Sequence, residues 1–321
     1  MRLLWIVTFL LIASVVSAGE TADTTPTNFN EDTISEFLEM GEGGVISSFL
    51  ADPEFKGSKV QRKFTMGPSP QFHGDFLVLN NTNEDIQYRV YVLVNYKAVV
   101  FSLNGEERRV QSVTIGPSER TTYDLRVDVE NNRFNDVVLI ALPFTNSGDR
   151  NPELAMISKR FLVVRPGAKA QEPAEKTEFR PIYAPWADKS IVLARSTSGN
   201  ALHSGEESVD DRTIHVVVGA YGEKPIDAAI VLFSGDQQVR HKDGTTRLLT
   251  SIPGNSSRLH SVTVPNMYNN VWGILVYNPF SDIEPSFGNI GREPQDVIIS
   301  NTIEFTQNDF KLNPEEFTHA Q

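Results

Sequence analysis

Residues 123–130 read YDLRVDVE, and this stretch decides the fold class. Four apolar side chains alternate with four charged ones, which is the period of a β-strand with one buried face and one wet face. Further strands are predicted at FLVLNN (76–81), QYRVYVLVNYKAVVF (87–101), VQSVTI (110–115), DVVLIALPF (136–144) and ISKRFLVV (157–164). Turn-rich segments separate them, so the pattern predicts an antiparallel β-sandwich.

The second half of the chain repeats this order. RFNDVVLIALPF (133–144) has a near-echo in MYNNVWGILVYNPF (267–280), and the turn IGPSER (115–120) matches IPGNSS (252–257). Matching turns at matching intervals predict two related sandwiches in tandem, over residues 56–166 and 183–312. Each echoed phrase is expected to be a central strand that is buried on both faces and ended by its proline.

The remaining segments flank these two domains. Residues 1–18 have the layout of a cleaved secretory signal peptide, with an uncleaved membrane anchor as the alternative. Residues 19–55 are predicted to form a polar leader and a short helix, which starts near Asn30 and which VISSFL (45–50) could extend. The proline-containing segment 167–182 is predicted to be a linker, and residues 313–321 a tail.

Composition narrows the range of functions. The formal net charge is −12, and the chain contains no cysteine. Because nucleic acids and anionic lipids are held largely by Lys and Arg, nucleic-acid binding is not expected. Disulfides, thiol catalysis and cysteine-based metal sites are excluded. We expect a secreted, extracellular or cell-envelope protein with no transmembrane segment in the mature chain.

The order of strands and turns resembles that of immunoglobulin-like or fibronectin type III-like modules, in particular the CARDB-type modules that occur in tandem in secreted prokaryotic surface proteins. The likeness is carried by VLNNTNEDIQYRVYVLV (78–94), by the IGPSE and IPGNSS turns, and by the closing strands. It implies an all-β fold of two tandem Ig-like sandwiches. It also implies a role as a spacer, an adhesion unit or an assembly subunit.

Few residues suggest chemistry. None of the six histidines forms a metal-binding pair with a neighbour in sequence, although His215 and His241 lie on strands that could be adjacent and His260 could point inward. Paired carboxylates lie in polar loops, where nothing would raise a pKa for acid catalysis. The turns NNTNED (80–85) and DVENNRFND (128–136) offer oxygen ligands for calcium, but without EF-hand spacing. No catalytic residue, cofactor or resident metal is therefore predicted.

Two pairs of residues stand out as candidates for contact or modification. Tyr183 and Trp186 follow the linker and are candidates for ligand contact, with a hydrophobic plug between domains as the alternative. Asn80 and Asn255 begin N-x-T/S triplets, so each is a glycan acceptor if the source is eukaryotic.

The leading functional hypothesis is a non-enzymatic secreted or surface-associated protein that binds an extracellular or cell-envelope macromolecule. A pair of carbohydrate-binding modules is the alternative, and it would require exposed aromatic side chains on one sheet face. A secreted hydrolase using His203 and Asp210, in the polar loop at 197–211, is a third hypothesis.

Overall fold

The structure is a computed structural model that describes residues 45–51, 60–80, 82–130, 134–144, 156–169, 176–184, 190–194, 213–220, 222–241, 244–264, 270–283, 286–287 and 296–304. Those residues form strands and turns, so the fold is all-β. The predicted helix near Asn30, the signal peptide and the 197–211 loop lie outside the described residues. Within the described ranges, no helix is long and apolar enough to cross a membrane.

Contacts between Cα atoms divide the chain into two units. Unit 1 comprises residues 1–171 and 280–295, and unit 2 comprises residues 172–279 and 296–321. A short segment of the second half of the chain, residues 280–295, therefore belongs to unit 1.

Unit 1 contains thirteen of the strands. They are β1 (Val45–Ala51), β2 (Val60–Gln61), β3 (Lys63–Thr65), β4 (Gln71–Asn80), β5 (Ile86–Val94), β6 (Lys97–Ala98), β7 (Phe101–Leu103), β8 (Glu106–Arg108), β9 (Val110–Ile115), β10 (Arg120–Asp128), β11 (Phe134–Phe144), β12 (Ile157–Val164) and β21 (Ser286–Phe287). One sheet has the order β1-β4-β10-β7-β8 and a second has the order β3-β12-β11-β5-β6, with β9 also on β5. A small third ladder joins β2 to β21.

Unit 2 contains the other ten strands. They are β13 (Arg180–Ile182), β14 (Ile191–Ala194), β15 (Thr213–Ala220), β16 (Ile226–Ser234), β17 (Gln237–Gln238), β18 (Leu248–Ile252), β19 (Ser256–Thr263), β20 (Asn270–Tyr277), β22 (Val297–Ile299) and β23 (Ile303–Glu304). One sheet has the order β13-β19-β15-β14. The other has the order β17-β16-β20-β22, with β18 on β16 and β23 on β20.

Each unit has its own core, built from the inner faces of its two main sheets. In unit 1, Phe76 and Leu125 of the first sheet share a buried cluster with Val92, Leu139 and Phe161 of the second. In unit 2, a separate cluster joins residues of β15 and β19 to residues of β16 and β20. Two sheets that face each other across one apolar core form a β-sandwich, so each unit is a sandwich.

The alternation read from YDLRVDVE is confirmed by the burial of β10. Leu125 and Val127 are 0% and 1% exposed, whereas Arg126 and Asp128 face solvent. The echoed phrases are also central strands as predicted. β11 lies between β5 and β12, and β20 lies between β16 and the short strands β22 and β23.

Three details of the predicted strands are wrong. Residues 45–50 form β1, paired with β4, and do not extend a helix. The run 87–101 is broken by a turn at Asn95 and Tyr96, whose φ angles are +52° and +66°, as a tight hairpin requires. Proline ends pairing in β20 but not in β11, because β11 has lost its β12 neighbour before Pro143 and a one-sided strand tolerates proline.

Two further observations concern the predicted linker and the IPGNSS turn. β13 falls inside the segment predicted to be a linker, and Phe179 beside it is in the core of unit 2. In the IPGNSS turn, a Cβ at Gly254 would lie 2.3 Å from the carbonyl of Glu223, so the close approach of two backbones requires glycine.

Candidate functional site

The outer face of the first sheet of unit 1 carries a cluster of charged side chains. Alternation directs Phe72, Phe76 and Leu125 into the core and leaves their polar neighbours in β4 and β10 on the opposite face. We call this surface the outer face, and it consists of Gln71, His73, Asp75, Asp124, Arg126 and Asp128.

The register of β4 and β10 sets the charge pattern of the outer face. Asp75 lies opposite Asp124, so two carboxyl groups are paired directly, and His73 lies opposite Arg126. Asp124 instead meets His73 on a cross-strand diagonal and Arg126 two positions further along β10. The His73 ring donates toward Asp124 across 2.6 Å (Nε2 to Oδ1), and Arg126 donates to Asp124 across 2.7 Å (Nη2 to Oδ2). Asp124 is thus the centre of the cluster.

The two central carboxyl groups have opposite pKa shifts. Partial burial raises the pKa of Asp75, and the charge of Asp124 adds to this rise while His73 opposes it. Partial burial alone would raise the pKa of Asp124 as well. The hydrogen bonds and charges of Arg126 and His73 exceed that effect, so the pKa of Asp124 is lowered. Asp124 is therefore a stable anion.

The outer face has an excess of carboxylates, which could attract cationic side chains of a partner. Its three aspartates are opposed by one arginine and one histidine. Next to Arg126 in register lies Ser102 of β7, which is 6% exposed and whose hydroxyl has no hydrogen-bond partner among the described residues. In the parts of the chain that are described, no group of three or more His, Asp or Glu side chains could hold a metal ion.

The structure describes some of the residues singled out from sequence, among them Tyr183, His215 and His260. Tyr183 is 90% exposed, while Trp186 lies outside the described residues, as do His203 and Asp210. His215 bonds to Ser261 across 2.9 Å, and half-burial with the nearby charge of Arg180 lowers the pKa of His215.

His260 has a structural environment. Its ring stacks on Phe179 with the centroids 4.9 Å apart, and its Nδ1 lies 3.0 Å from the Glu178 carbonyl oxygen. The ring is partly buried, so its main contact is with an aromatic neighbour at the edge of the core.

The two candidate glycan acceptors have different surroundings. Asn80 is 0% exposed, and its amide nitrogen donates to the carbonyls of Glu84, Ile115 and Gly116. Asn255 is exposed and accepts a bond from the Gly222 N–H across 3.2 Å. Asn80 therefore holds a turn together. Asn255 has the exposure that a modified residue needs.

The turns proposed for calcium use their side-chain oxygens internally. Asn80 Oδ1 accepts from both the N–H and the hydroxyl of Thr82, and Asn135 Oδ1 accepts from the Glu130 N–H across 3.1 Å. Calcium binding at these turns stays a prediction.

A second polar cluster, which sequence reasoning missed, is buried in unit 1. The Asp136 carboxylate receives two bonds from Arg160, from Nε at 2.8 Å and from Nη2 at 2.7 Å. The Tyr96 hydroxyl also donates to Asp136. The side chains of Asp136 and Arg160 are 0% and 1% exposed, so this is a fully desolvated bidentate ion pair.

Burial fixes the protonation of Tyr96. Removal from water, together with the charge of Asp136, raises the pKa of the Tyr96 hydroxyl, which therefore stays protonated and donates. Residues 280–283 of unit 1 cover this cluster, and the Phe280 N–H donates to Asp136 Oδ2 across 2.9 Å. The carboxylate thus has four donor atoms, which come from three residues of the chain. The only local signal for it is a charged residue just before an apolar run.

No protein-family model matches the chain, and no curated protein matches it. Among solved structures, it is similar to the Escherichia coli chaperone DraB at 11% identity and a TM-score of 0.25, over 81% of this chain and 98% of that one. It is similar to CBD12 from CALX1.2 at 8% identity and a TM-score of 0.22, over 73% and 79%. The secreted serine protease VesC from Vibrio cholerae matches at 10% identity and 0.22, over 80% and 51%.

Proposed function

We propose that this chain is an exported, non-enzymatic protein of two tandem Ig-like sandwiches that binds a basic macromolecule outside the cytoplasm. The outer face of unit 1 is the binding surface in this proposal. The signal-peptide pattern of residues 1–18 supports export, and the resemblance to CARDB-type modules supports the finer fold and a role in adhesion or assembly.

The observation that carries the proposal is the excess of carboxylates on the outer face. Asp124 is already saturated by His73 and Arg126, whereas Asp75 and Asp128 have fewer cationic neighbours. A Lys or Arg side chain of a partner placed beside Asp75 would relieve its repulsion with Asp124. The chain's charge of −12 would steer such a partner toward it.

The test uses an oligolysine peptide as a defined cationic probe against the immobilised full chain. We expect saturable binding that weakens as salt rises, because exposed charges are screened beyond about 8 Å at physiological ionic strength. The variant Asp75→Asn/Asp124→Asn/Asp128→Asn should lose most of this binding.

A matched control removes the same number of charges elsewhere. Glu84→Gln/Asp85→Asn/Glu223→Gln changes three exposed carboxylates outside the outer face. Equal loss of binding in the two variants would mean that only net charge matters, and the assignment to the outer face would then be rejected. Hydrolysis of a peptide, ester or glycoside by the pure chain, lost on mutation of His203 or Asp210, would reject the non-enzymatic proposal.

A second candidate function, carbohydrate binding, is favoured by Tyr183. This ring is 90% exposed, and sugars stack on exposed aromatic rings. Glycan-array binding that is lost in Tyr183→Ala and kept in Tyr183→Phe would support this candidate over binding of a basic partner.

A further inference from the structure

We propose that unit 1 carries a peptide-recognition groove for residues 280–283 and that the same segment of a second copy of the chain can occupy it. The groove is formed by Tyr96, Asp136 and Lys63 together with an apolar set. That set consists of Phe134, Leu162, Val164 and Ala168. The inference is independent of the outer face and of its partner.

The first contact of the segment is at Phe280. Its ring packs edge-to-face on Tyr96, with the centroids 5.0 Å apart and an interplanar angle of 86°. Its backbone N–H donates to the buried carboxylate of Asp136 across 2.9 Å. A hydrogen bond to an ionised group away from water is stronger than a neutral one. The groove therefore recognises both the aromatic ring and the backbone N–H of the residue at this position.

Asp282 is recognised through its charge, and Ile283 is recognised through apolar contact. Lys63 Nζ lies 2.5 Å from Asp282 Oδ1, and Ile283 packs on the apolar set around Phe134. Further on, β21 pairs antiparallel with β2. The groove therefore selects a segment with an aromatic residue, an acidic residue two positions later and an aliphatic residue after that. This is recognition of an extended peptide by pockets and added strand pairing.

The connection that delivers this segment is short and strained. Only Asn278 and Pro279 join the end of β20 to Phe280. The φ angles of Asn278 and Phe280 are +48° and +58°, in the left-handed region, which asparagine adopts more readily than most residues and which is unfavourable for a bulky aromatic one. The groove contacts hold Phe280 in this conformation.

Strain in a short hinge beside a specific docking site favours exchange. If the segment leaves its own groove, Asn278 can relax, and the segment of a second copy can make the same groove contacts with Phe280 in the same conformation. The partner is thus a second copy of this chain, and each copy would contribute Phe280 and Asp282 to the groove of the other.

The experiment is a charge-swap complementation with full-length chains. In Lys63→Asp, two negative charges face each other at positions 63 and 282 of the same chain. In Asp282→Lys, two positive charges face each other at these positions. In an exchanged heterodimer of these two variants, both ion pairs have opposite charges again. Native mass spectrometry of the equimolar mixture should show heterodimer about three- to tenfold above its statistical share, and high salt should reduce this excess.

Two single variants test the hinge and the anchor. Asn278→Gly removes strain without touching the groove and should lower the dimer fraction, because glycine accepts a positive φ. Phe280→Ala should abolish dimers, with circular dichroism and hydrogen exchange verifying that the chain remains folded. Monomers alone, dimers in statistical proportion, or dimers that persist in Phe280→Ala would each overturn the proposal.

Discussion

The same turn occurs in both units, and its side chains differ. In unit 1 the Asn95 N–H donates to the Asp136 carbonyl across 2.8 Å, and in unit 2 the Gly235 N–H donates to the Asn270 carbonyl across 3.3 Å. The registers confirm the match, since Val94 pairs with Val137 and Ser234 with Val271. The backbone of the turn is retained in both copies.

The chemistry around the turn is charged in one unit and neutral in the other. Asp136 forms a buried ion pair with Arg160, whereas the Asn270 side chain accepts a local bond from the Gly235 N–H across 2.7 Å. The same backbone turn therefore has local hydrogen bonds in unit 2, whereas in unit 1 it carries a buried ion pair that also binds a distant segment of the chain.

Substitutions at Asp136 and at Asn270 should differ strongly in their cost to the free energy of unfolding. Asp136→Ala leaves the buried guanidinium of Arg160 without its carboxylate, which typically costs about 3–5 kcal/mol. Asn270→Ala removes one neutral hydrogen bond and should cost about 1 kcal/mol. Urea unfolding gives the free energies, and hydrogen exchange shows which unit is affected. Equal losses would contradict the contrast drawn here.

The central strands β11 and β20 also differ between the two units. Two residues after Val137 and Val271 stand Leu139 and Gly273, respectively. Leu139→Ala leaves a cavity in a fully packed core and should cost about 2–5 kcal/mol.

Gly273→Ala tests the opposite fault, overpacking. The added Cβ would lie 2.8 Å from a Leu232 methyl carbon and 3.1 Å from the Val231 carbonyl oxygen. The expected cost is about 1–3 kcal/mol. Thermal unfolding of both variants measures it, and a Gly273→Ala variant as stable as the parent would show that unit 2 has room at this position.

Asp75 of unit 1 and His215 of unit 2 should give the stability of the two units different dependences on pH. By register, Asp75 opposite Asp124 in unit 1 corresponds to His215 opposite Ser261 in unit 2. The pKa of His215 is lowered from 6.5, so its stabilising contribution is present above pH 6.5 and is lost as pH falls through the folded-state pKa.

The sign is reversed for Asp75. Its pKa is raised from 3.8, so its contribution is present below that value and is lost as pH rises. Urea unfolding between about pH 4 and 8 should therefore show that His215→Gln flattens the acid side of the unit 2 profile. Asp75→Asn should raise the stability of unit 1 at neutral pH. Unchanged profiles in both variants would contradict these assignments.

The exposed ion pair between Lys176 and Asp227 should contribute least to stability, although it is as short as the buried pair between Arg160 and Asp136. Lys176 Nζ lies 2.7 Å from Asp227 Oδ1, the same separation as between Arg160 and Asp136, but both of its side chains are more than 40% exposed. Lys176→Met should cost only about 0.2–1 kcal/mol, and salt should reduce the difference. A loss as large as that of Asp136→Ala would mean that burial does not decide the strength of these pairs.

Local patterns in the sequence predicted much of the fold. Strand alternation has a period of two and turn chemistry acts over a few residues, so YDLRVDVE and the IPGNSS turn could be interpreted directly. The hairpin at Asn95 and Tyr96 was missed because its second residue is tyrosine, whereas such turns favour glycine there. The strand β1 was missed because a short apolar run fits a helix or a strand equally well.

The candidate sites depended on tertiary structure to different degrees. Alternation along β10 already placed Asp124 and Arg126 on one face, but the register with β4 was needed to bring His73 and Asp75 to them. The sequence offered Asp136 only among the oxygen ligands of the 128–136 turn, and no local pattern indicated that it is the centre of a buried ion pair. Its partners Arg160 and Phe280 are 24 and 144 positions away in the chain.

The all-β class, the repeated strand order and the burial of the central strands could be predicted from sequence, because each follows from periodicity within one strand or turn. Only the tertiary structure decided that residues 280–283 lie in unit 1, over a buried carboxylate. The free energy of that contact comes from desolvated groups that meet only when distant segments pack, and such pairing leaves no periodic trace in the chain.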